Sequence, residues 1–201
     1  MEMIPIEKFI LGTKLRFYFQ RVFEAPRVLE NIPKNLSNCL EIGCGHGAGL
    51  LLIEMAVKCE KLTGIDTDPA LVQSALRNLA NPPAWAKDAD VSKIEVELAD
   101  ASEMPFPDNH FDAVFLFDAL HHIIGWKETI SEVFRVLKPS GIFSFEEAAI
   151  STSPLYLNNF LRHLPFDTDE MLKELKTAGF IMEKFHKVPL LPYCFVRARK
   201  G

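Results

Sequence analysis

The sequence has no excess of positive charge: 22 Lys and Arg stand against 27 Asp and Glu, for a formal net charge of −5. It therefore lacks the broad positive field that non-specific binding to nucleic acid or an anionic membrane surface requires, and small neutral or cationic substrates are easier to accommodate. Cysteine is sparse, and Cys39, Cys44, Cys59 and Cys194 form neither a CxxC pair nor a zinc-finger spacing. A reduced, intracellular setting is the simplest reading. No run approaches the ~20 apolar residues of a membrane span, and the N-terminal MEMIPIEKFILGTK carries acids early without a long apolar stretch. A cytoplasmic protein without a transmembrane segment is expected. Internal repeats, low-complexity tracts and linkers are also missing. What remains is a 201-residue chain, 48% apolar and 24% charged, that suits one domain with one sizeable core.

Residues 1–36 form a prelude rich in Phe, Arg and Lys. Phe9, Ile10, Thr13 and Phe17 recur there at near-helical spacing, punctuated by Pro5, Pro26 and Pro33, which predicts one or two helices capping the core of residues 37–201. After the prelude, apolar strand candidates alternate with helical patterns, the rhythm of β-α-β units and a mainly parallel sheet. Strands are expected at Cys39 to Ile42, Lys61 to Ile65, Ile94 to Leu98, Ala113 to Phe117 and Ile142 to Phe145. Two more are expected at Ile181 to His186 and Tyr193 to Ala198. Ala113 to Phe117 is continuously apolar, as a central strand buried on both faces should be. Helices follow the first two strands, a third spans about Trp126 to Leu137, and a fourth, residues 168–178, is closed by Gly179 as a left-handed cap.

Gly43, Gly45 and Gly47 lie where the first strand meets its helix, so backbone amides there can approach a ligand closely. Gly43-x-Gly45-x-x-Ala48 also fits the dinucleotide fingerprint, with Asp66 the expected ~20 residues downstream. Taken alone, the turn leaves an NAD-dependent oxidoreductase open.

Further elements separate the readings. They are Leu40-Glu41-Ile42-Gly43-Cys44-Gly45-His46-Gly47, Gly64-Ile65-Asp66, an acid at Asp100 before a Pro-rich loop, Phe111-Asp112-Ala113-Val114 through Ala119-Leu120-His121-His122, and Arg135-Val136-Leu137-Lys138-Pro139-Ser140-Gly141. In this order they resemble the class I methyltransferases dependent on S-adenosyl-L-methionine (SAM), within the small-molecule group that includes the quinone-pathway enzymes. The resemblance is dense over residues 38–145 and loose over 165–198. It implies a Rossmann-like, doubly wound α/β sheet of seven strands in the order 3-2-1-4-5-7-6, the last antiparallel, with SAM as cofactor and a small-molecule acceptor. It also implies that Asp66 accepts from the ribose hydroxyls, that Asp100 and the Ala101 amide meet the adenine between Ile65 and Met104, and that Glu41 with the backbone at Gly43 and Phe117 holds the methionine end. Gly45 belongs to the same cofactor turn. Ser140 stands where the family prefers glycine, a change expected to do no harm.

Candidates for catalysis are less defined. His121 and His122 follow the fourth strand, where a neutral imidazole can remove a proton from an incoming nucleophile. Asp118, Glu146 and Glu147 sit at the carboxyl edge where open α/β sheets bind ligands. These acids alone make no convincing ligand set, so no metal is expected. Phe9, Phe17, Tyr18, Phe19 and Phe23 of the prelude, with Leu155, Tyr156, Leu157 and Phe160, are candidates to line an apolar acceptor pocket. Asn81-Pro82-Pro83 lies before the third strand and so reads as a loop, not as an amide-methylation motif. A non-catalytic SAM-binding module is the remaining alternative.

Overall fold

The computed structural model describes residues 14–148, 167–189, 191 and 193–201. The prelude enters as α1 (Lys14–Phe19), a π-helical turn (Gln20–Glu24) and α2 (Ala25–Val28). The core then alternates: β1 (Asn38–Ile42), α3 (Ala48–Val57), β2 (Lys61–Asp66), α4 (Pro69–Ala80), β3 (Ile94–Leu98) and β4 (Phe111–Phe117). It continues through α5 (Trp126–Val136), β5 (Leu137–Ala148), α6 (Thr168–Ala178), β6 (Phe180–Lys187) and β7 (Tyr193–Lys200). Phe9, Leu155, Tyr156, Leu157 and Phe160 fall outside the described residues.

The seven strands form one sheet in the order β3-β2-β1-β4-β5-β7-β6. β1 to β5 pair in parallel, while β7 runs antiparallel to both β5 and β6. β4 shows why the centre of this sheet must be covered twice. Val114 and Leu116 enter a core with Ile130 and Val133 of α5 and Met171 and Leu175 of α6, whereas Ala113, Phe115 and Phe117 enter a second core with Ala25, Val28, Leu50 and Ile53. Period-two alternation thus assigns neighbouring residues of one buried strand to opposite layers. Val28 of the prelude belongs to the second core, and its carbonyl accepts a 2.6 Å hydrogen bond from Ser144 Oγ on β5. No helix among the described residues is long and apolar enough to cross a membrane, and the four cysteines are buried and free.

Local signals set the helix ends. The Asp68 side chain accepts from Ala70 N ahead of Pro69, and Gly179 closes α6 at φ 103°. Arg135 anchors the Pro-rich loop before β4: it bonds Glu132, Asp108 and the carbonyls of Phe106 and Met104. Lys138 pairs with Asp112 at 2.7 Å, and the other Asp112 oxygen accepts from Asn38 N, tying the starts of β5, β4 and β1 together. The conspicuous RVLKP segment is therefore a clamp for the sheet rather than part of a site.

β5 begins earlier than the apolar pattern suggests, at Leu137, because its pairing with β4 shifts between Phe111 and Ala113. Pro139, Ser140 and Gly141 lie inside the strand at this irregularity, where Ser140 adopts φ 63°. The expectation that serine is harmless here is corrected: a side chain with Cβ in the left-handed region is strained by roughly 1–2 kcal/mol. Ser140→Gly is predicted to stabilise the protein by about 0.5–1 kcal/mol after the entropy loss of glycine is subtracted. A urea midpoint that falls or stays constant would show that the bulge, not the residue, carries the strain.

Candidate functional site

A cavity of about 1040 Å³ opens at the carboxyl ends of β1, β2 and β4. Its wall contains Glu41, Gly43, Gly45, Asp66, Asp100, Ala101 and Phe117, the residues assigned to the cofactor from the sequence. Four different loops or strand ends bring them together.

The turn after β1 is the tightest part. Gly43 has φ 68°, and a Cβ on it would stand 2.7 Å from the Ala119 Cβ, so any side chain would collide with the segment leaving β4. Its amide and that of Cys44 donate to Ile65 O at 2.9 and 3.0 Å, holding the turn against β2. The Asp66 carboxylate then accepts from Gly45 N and Asp68 N, both at 2.9 Å. Burial raises the Asp66 pKa, opposed by these backbone donors.

Glu41 is more extreme. It is 2% exposed, and its Oε2 has no hydrogen-bond partner among the described residues. Desolvation, and secondarily the charge of Asp66, push its pKa well above the usual carboxylate range. A Cβ on Gly49 would lie 1.9 Å from Glu41 Oε1, so the carboxyl fits under α3 because position 49 has no side chain.

Asp100 is exposed, and its Oδ1 already accepts from Ser102 N and Ser102 Oγ at 2.8 and 2.7 Å. It thus serves as a turn cap while lining the cavity. Ile65 lines the cavity, but Met104 does not; it packs in the core beside α5, its amide held by Glu132. Asn81-Pro82-Pro83 follows the end of α4, away from the cavity wall.

Beyond β4, Asp118 and His122 line the cavity, whereas His121, Glu146 and Glu147 stand outside its lining. Glu147 accepts from the His121 backbone N–H at 3.2 Å and contacts His121 Nδ1 through its other oxygen. Asp118 adopts φ 50°, an uncommon conformation for a residue other than glycine, with its Oδ1 3.7 Å from the same Nδ1. Glu146 is fully buried; desolvation, and then Asp118, Glu24 and Glu147, raise its pKa well above the usual range, opposed by Arg16.

The pairing of Arg16 with Glu24 and the place of His46 were not anticipated from the sequence. Arg16 lines the cavity and pairs with fully buried Glu24 at 2.7 Å, eight residues along and across the π-helical turn. Burial pushes Glu24 up to about 7 despite this partner. His46 also lines the cavity, its Nδ1 2.7 Å from Ser74 Oγ. A paired Arg and Glu within an otherwise aromatic stripe was the available signal, but ordinary helical spacing does not align them. Of the prelude aromatics, Phe17 reaches the cavity, Tyr18 is exposed, and Phe19 and Phe23 stack at 4.8 Å beside Tyr193.

A sheet of this order, with a glycine turn after β1 and an acid ending β2, is the fold of the class I SAM-dependent methyltransferases. A SAM-dependent methyltransferase from Aquifex aeolicus superposes with a TM-score of 0.79 at 20% identity, each chain fully covered. The methyltransferase domain family matches residues 40–145, and the chain belongs to that SAM-dependent family. A demethylmenaquinone methyltransferase of Symbiobacterium thermophilum is 35% identical over 111 residues, 55% of this chain and 42% of that protein. A fatty-acid O-methyltransferase of Mycolicibacterium smegmatis is 30% identical over 109 residues, 54% of this chain and 36% of that protein. The chain thus spans less than half the length of these two relatives. Membership of the family sets aside the nicotinamide reading that the glycine turn alone left open.

The raised pKa of Glu41 has a consequence for stability. The native state holds a proton that the unfolded state releases above its ordinary value of 4.5, so this contribution is full at lower pH and lost as pH rises toward the folded value. Glu41→Gln should therefore raise the melting temperature of the ligand-free protein more at pH 8 than at pH 5, by about 2–4 °C for each kcal/mol recovered. Equal shifts at both pH values would show that Glu41 is not buried as a proton-binding group.

Proposed function

We propose that this chain transfers the methyl group of SAM to a small-molecule acceptor, as one catalytic domain with residues 1–36 acting as a cap. The convergence of Glu41, Gly43, Asp66 and Asp100 on one cavity carries the reading. Bound there, SAM would supply a methyl group made electrophilic by its sulfonium.

The residues fit the cofactor. Each oxygen of Asp66 has accepted one backbone N–H and retains a lone pair, so together they can take the two ribose hydroxyls. Asp100 has committed Oδ1 to Ser102 and keeps Oδ2 for the adenine amino group, with Ala101 N beside it. The close turn at Gly43 and the unpartnered Oε2 of Glu41 suit the methionine end, whose ammonium is a donor seeking an acceptor. The wall at Phe117 completes that side.

Arg16 and Phe17 from the prelude, with His122 and Ile123 after β4, line the rest of the cavity and are assigned to the acceptor. A lipophilic or aromatic acceptor is favoured, consistent with the demethylmenaquinone and fatty acid in the names of the two relatives. Holding acceptor and donor in line removes the entropy of their encounter, a large source of acceleration. The net negative charge supports the reading that nucleic acid is not the substrate, and the free cysteines suit a cytoplasmic setting.

Asp66→Ala should weaken SAM binding by at least about a hundredfold, the loss of two hydrogen bonds of roughly 1.5–3 kcal/mol each. Calorimetry on the folded variant tests this, and parental affinity would remove Asp66 from the ribose site. A screen of quinone, fatty-acid and sterol acceptors with methyl-labelled SAM tests transfer; SAM binding without any transfer would favour a non-catalytic module. Phe17→Ala should raise the acceptor KM roughly tenfold, the order expected for one partly buried ring, while SAM affinity stays within about threefold. Equal losses for both ligands would mean that Phe17 serves the fold instead.

A further inference from the structure

The carboxyl edge of β4 and β5 gathers more carboxyl groups than the proposed methyl transfer uses. Asp118, Glu146 and Glu147 meet there, with Glu24 contributed by the prelude; the described positive charge acting on Glu24 and Glu146 is Arg16. Among the described residues, both carboxyl oxygens of Glu146 are buried and accept no hydrogen bond, and Asp118 Oδ1 is likewise buried without one. Among the charges acting on Glu146, Asp118 is the strongest, so these orphaned oxygens face one another's field. Unsatisfied buried carboxylates are expensive unless they hold protons or a cation.

One nitrogen lies among them. A ligand atom from each of Asp118, His121 and Glu147 falls within 4.8 Å of the others, and the side chains of His121 and Glu147 are 5% and 0% exposed. Atoms about 2.1 Å from one ion are at most about 4.2 Å apart, so a modest contraction would complete the set. We propose that Asp118, His121 and Glu147 bind one divalent cation of the borderline class, Mn²⁺, Fe²⁺, Co²⁺ or Zn²⁺, with the buried Glu146 carboxyl group behind them. Imidazole nitrogen beside two carboxylates selects these ions over Mg²⁺ or Ca²⁺, which favour all-oxygen sets. The ion takes the lone pair of a neutral imidazole, leaving the proton on the other ring nitrogen.

The acids alone did not make a ligand set in the sequence; the turn at Leu120–His122 adds the nitrogen by carrying His121 over Glu147. Because Asp118 lines the cavity, a cation there can hold an oxygen of the acceptor, which identifies the acceptor as a hydroxyl, enol or carboxylate compound. This last step rests on the acceptor reading above, whereas cation binding does not.

The test uses the whole chain, stripped with EDTA and desalted, titrated with MnCl₂ while free Mn²⁺ is read by electron paramagnetic resonance. About one ion per chain with an affinity well below 1 mM is expected, displaced by Zn²⁺. His121→Ala and Asp118→Asn should each weaken binding by at least about tenfold, and Glu95→Gln, an exposed acid on β3, should not. Absence of binding below about 1 mM, or unchanged binding in both site variants, would overturn the site and leave Glu147 as a hydrogen-bond partner that orients His121. A SAM-induced melting shift measured on the same samples reports folding and cofactor binding independently. Its loss with Mn²⁺ binding retained would count against the methyltransferase reading alone.

Discussion

The hydrogen bonds of the Asp66 carboxylate are the constraint on which the rest of the site depends. By accepting from Gly45 N on one side and Asp68 N on the other, it joins the turn after β1 to the end of β2 and fixes two loops with one side chain. The Gly43 and Cys44 amides complete the junction on Ile65 O. This part of the cavity wall is therefore backbone held by strands, which suits a ligand that must be placed within a fraction of an ångström of its partner. Removing any of these contacts loosens a surface before it removes a ligand.

Around this junction the protein buries acids in unusual number. Glu41, Glu146, Glu147 and Glu24 are each at most 2% exposed, and Asp118 adjoins them. A core under selection for stability alone would fill such positions with apolar groups of similar volume, because taking a carboxyl out of water costs free energy. Glu41 lines the cavity of about 1040 Å³, and Glu146 and Glu147 lie near the end of β5 beside Asp118, which also lines it. The prelude shares the arrangement: Ala25 and Val28 enter the second core, while Arg16 and Phe17 from the same segment line the cavity and Glu24 pairs with Arg16.

The order of strands and helices was legible because it depends on local periodicity. A continuous apolar run marked β4, and Gly179 marked the end of α6. That Glu41, Gly43, Asp66 and Asp100 line one cavity was legible for a related reason: they lie at strand ends, where a short motif and its element travel together. Where the reading went astray, pairing between strands was responsible. β5 extended through Pro139 because β4 offered it partners in shifted register, and Ser140 became strained through that shift. Nothing in the neighbouring residues announces a bulge.

From the sequence alone came the α/β class, the resemblance to a methyltransferase family and the positions of Glu41, Gly43, Asp66 and Asp100, since each rests on residues adjacent along the chain; the sheet order was implied only through that resemblance. The tertiary structure alone decided that Met104 is core, that Asp100 also caps its own turn, and that Arg16 and Glu24 meet across a π-helical turn. It also decided that His121 lies over Glu147 with Asp118 beside it, 26 residues closing to hydrogen-bond distance. Such contacts depend on the register of β4 against β5 and on the path of the turn between β4 and α5. Both are set by the packing of whole layers, which no local pattern of residues encodes.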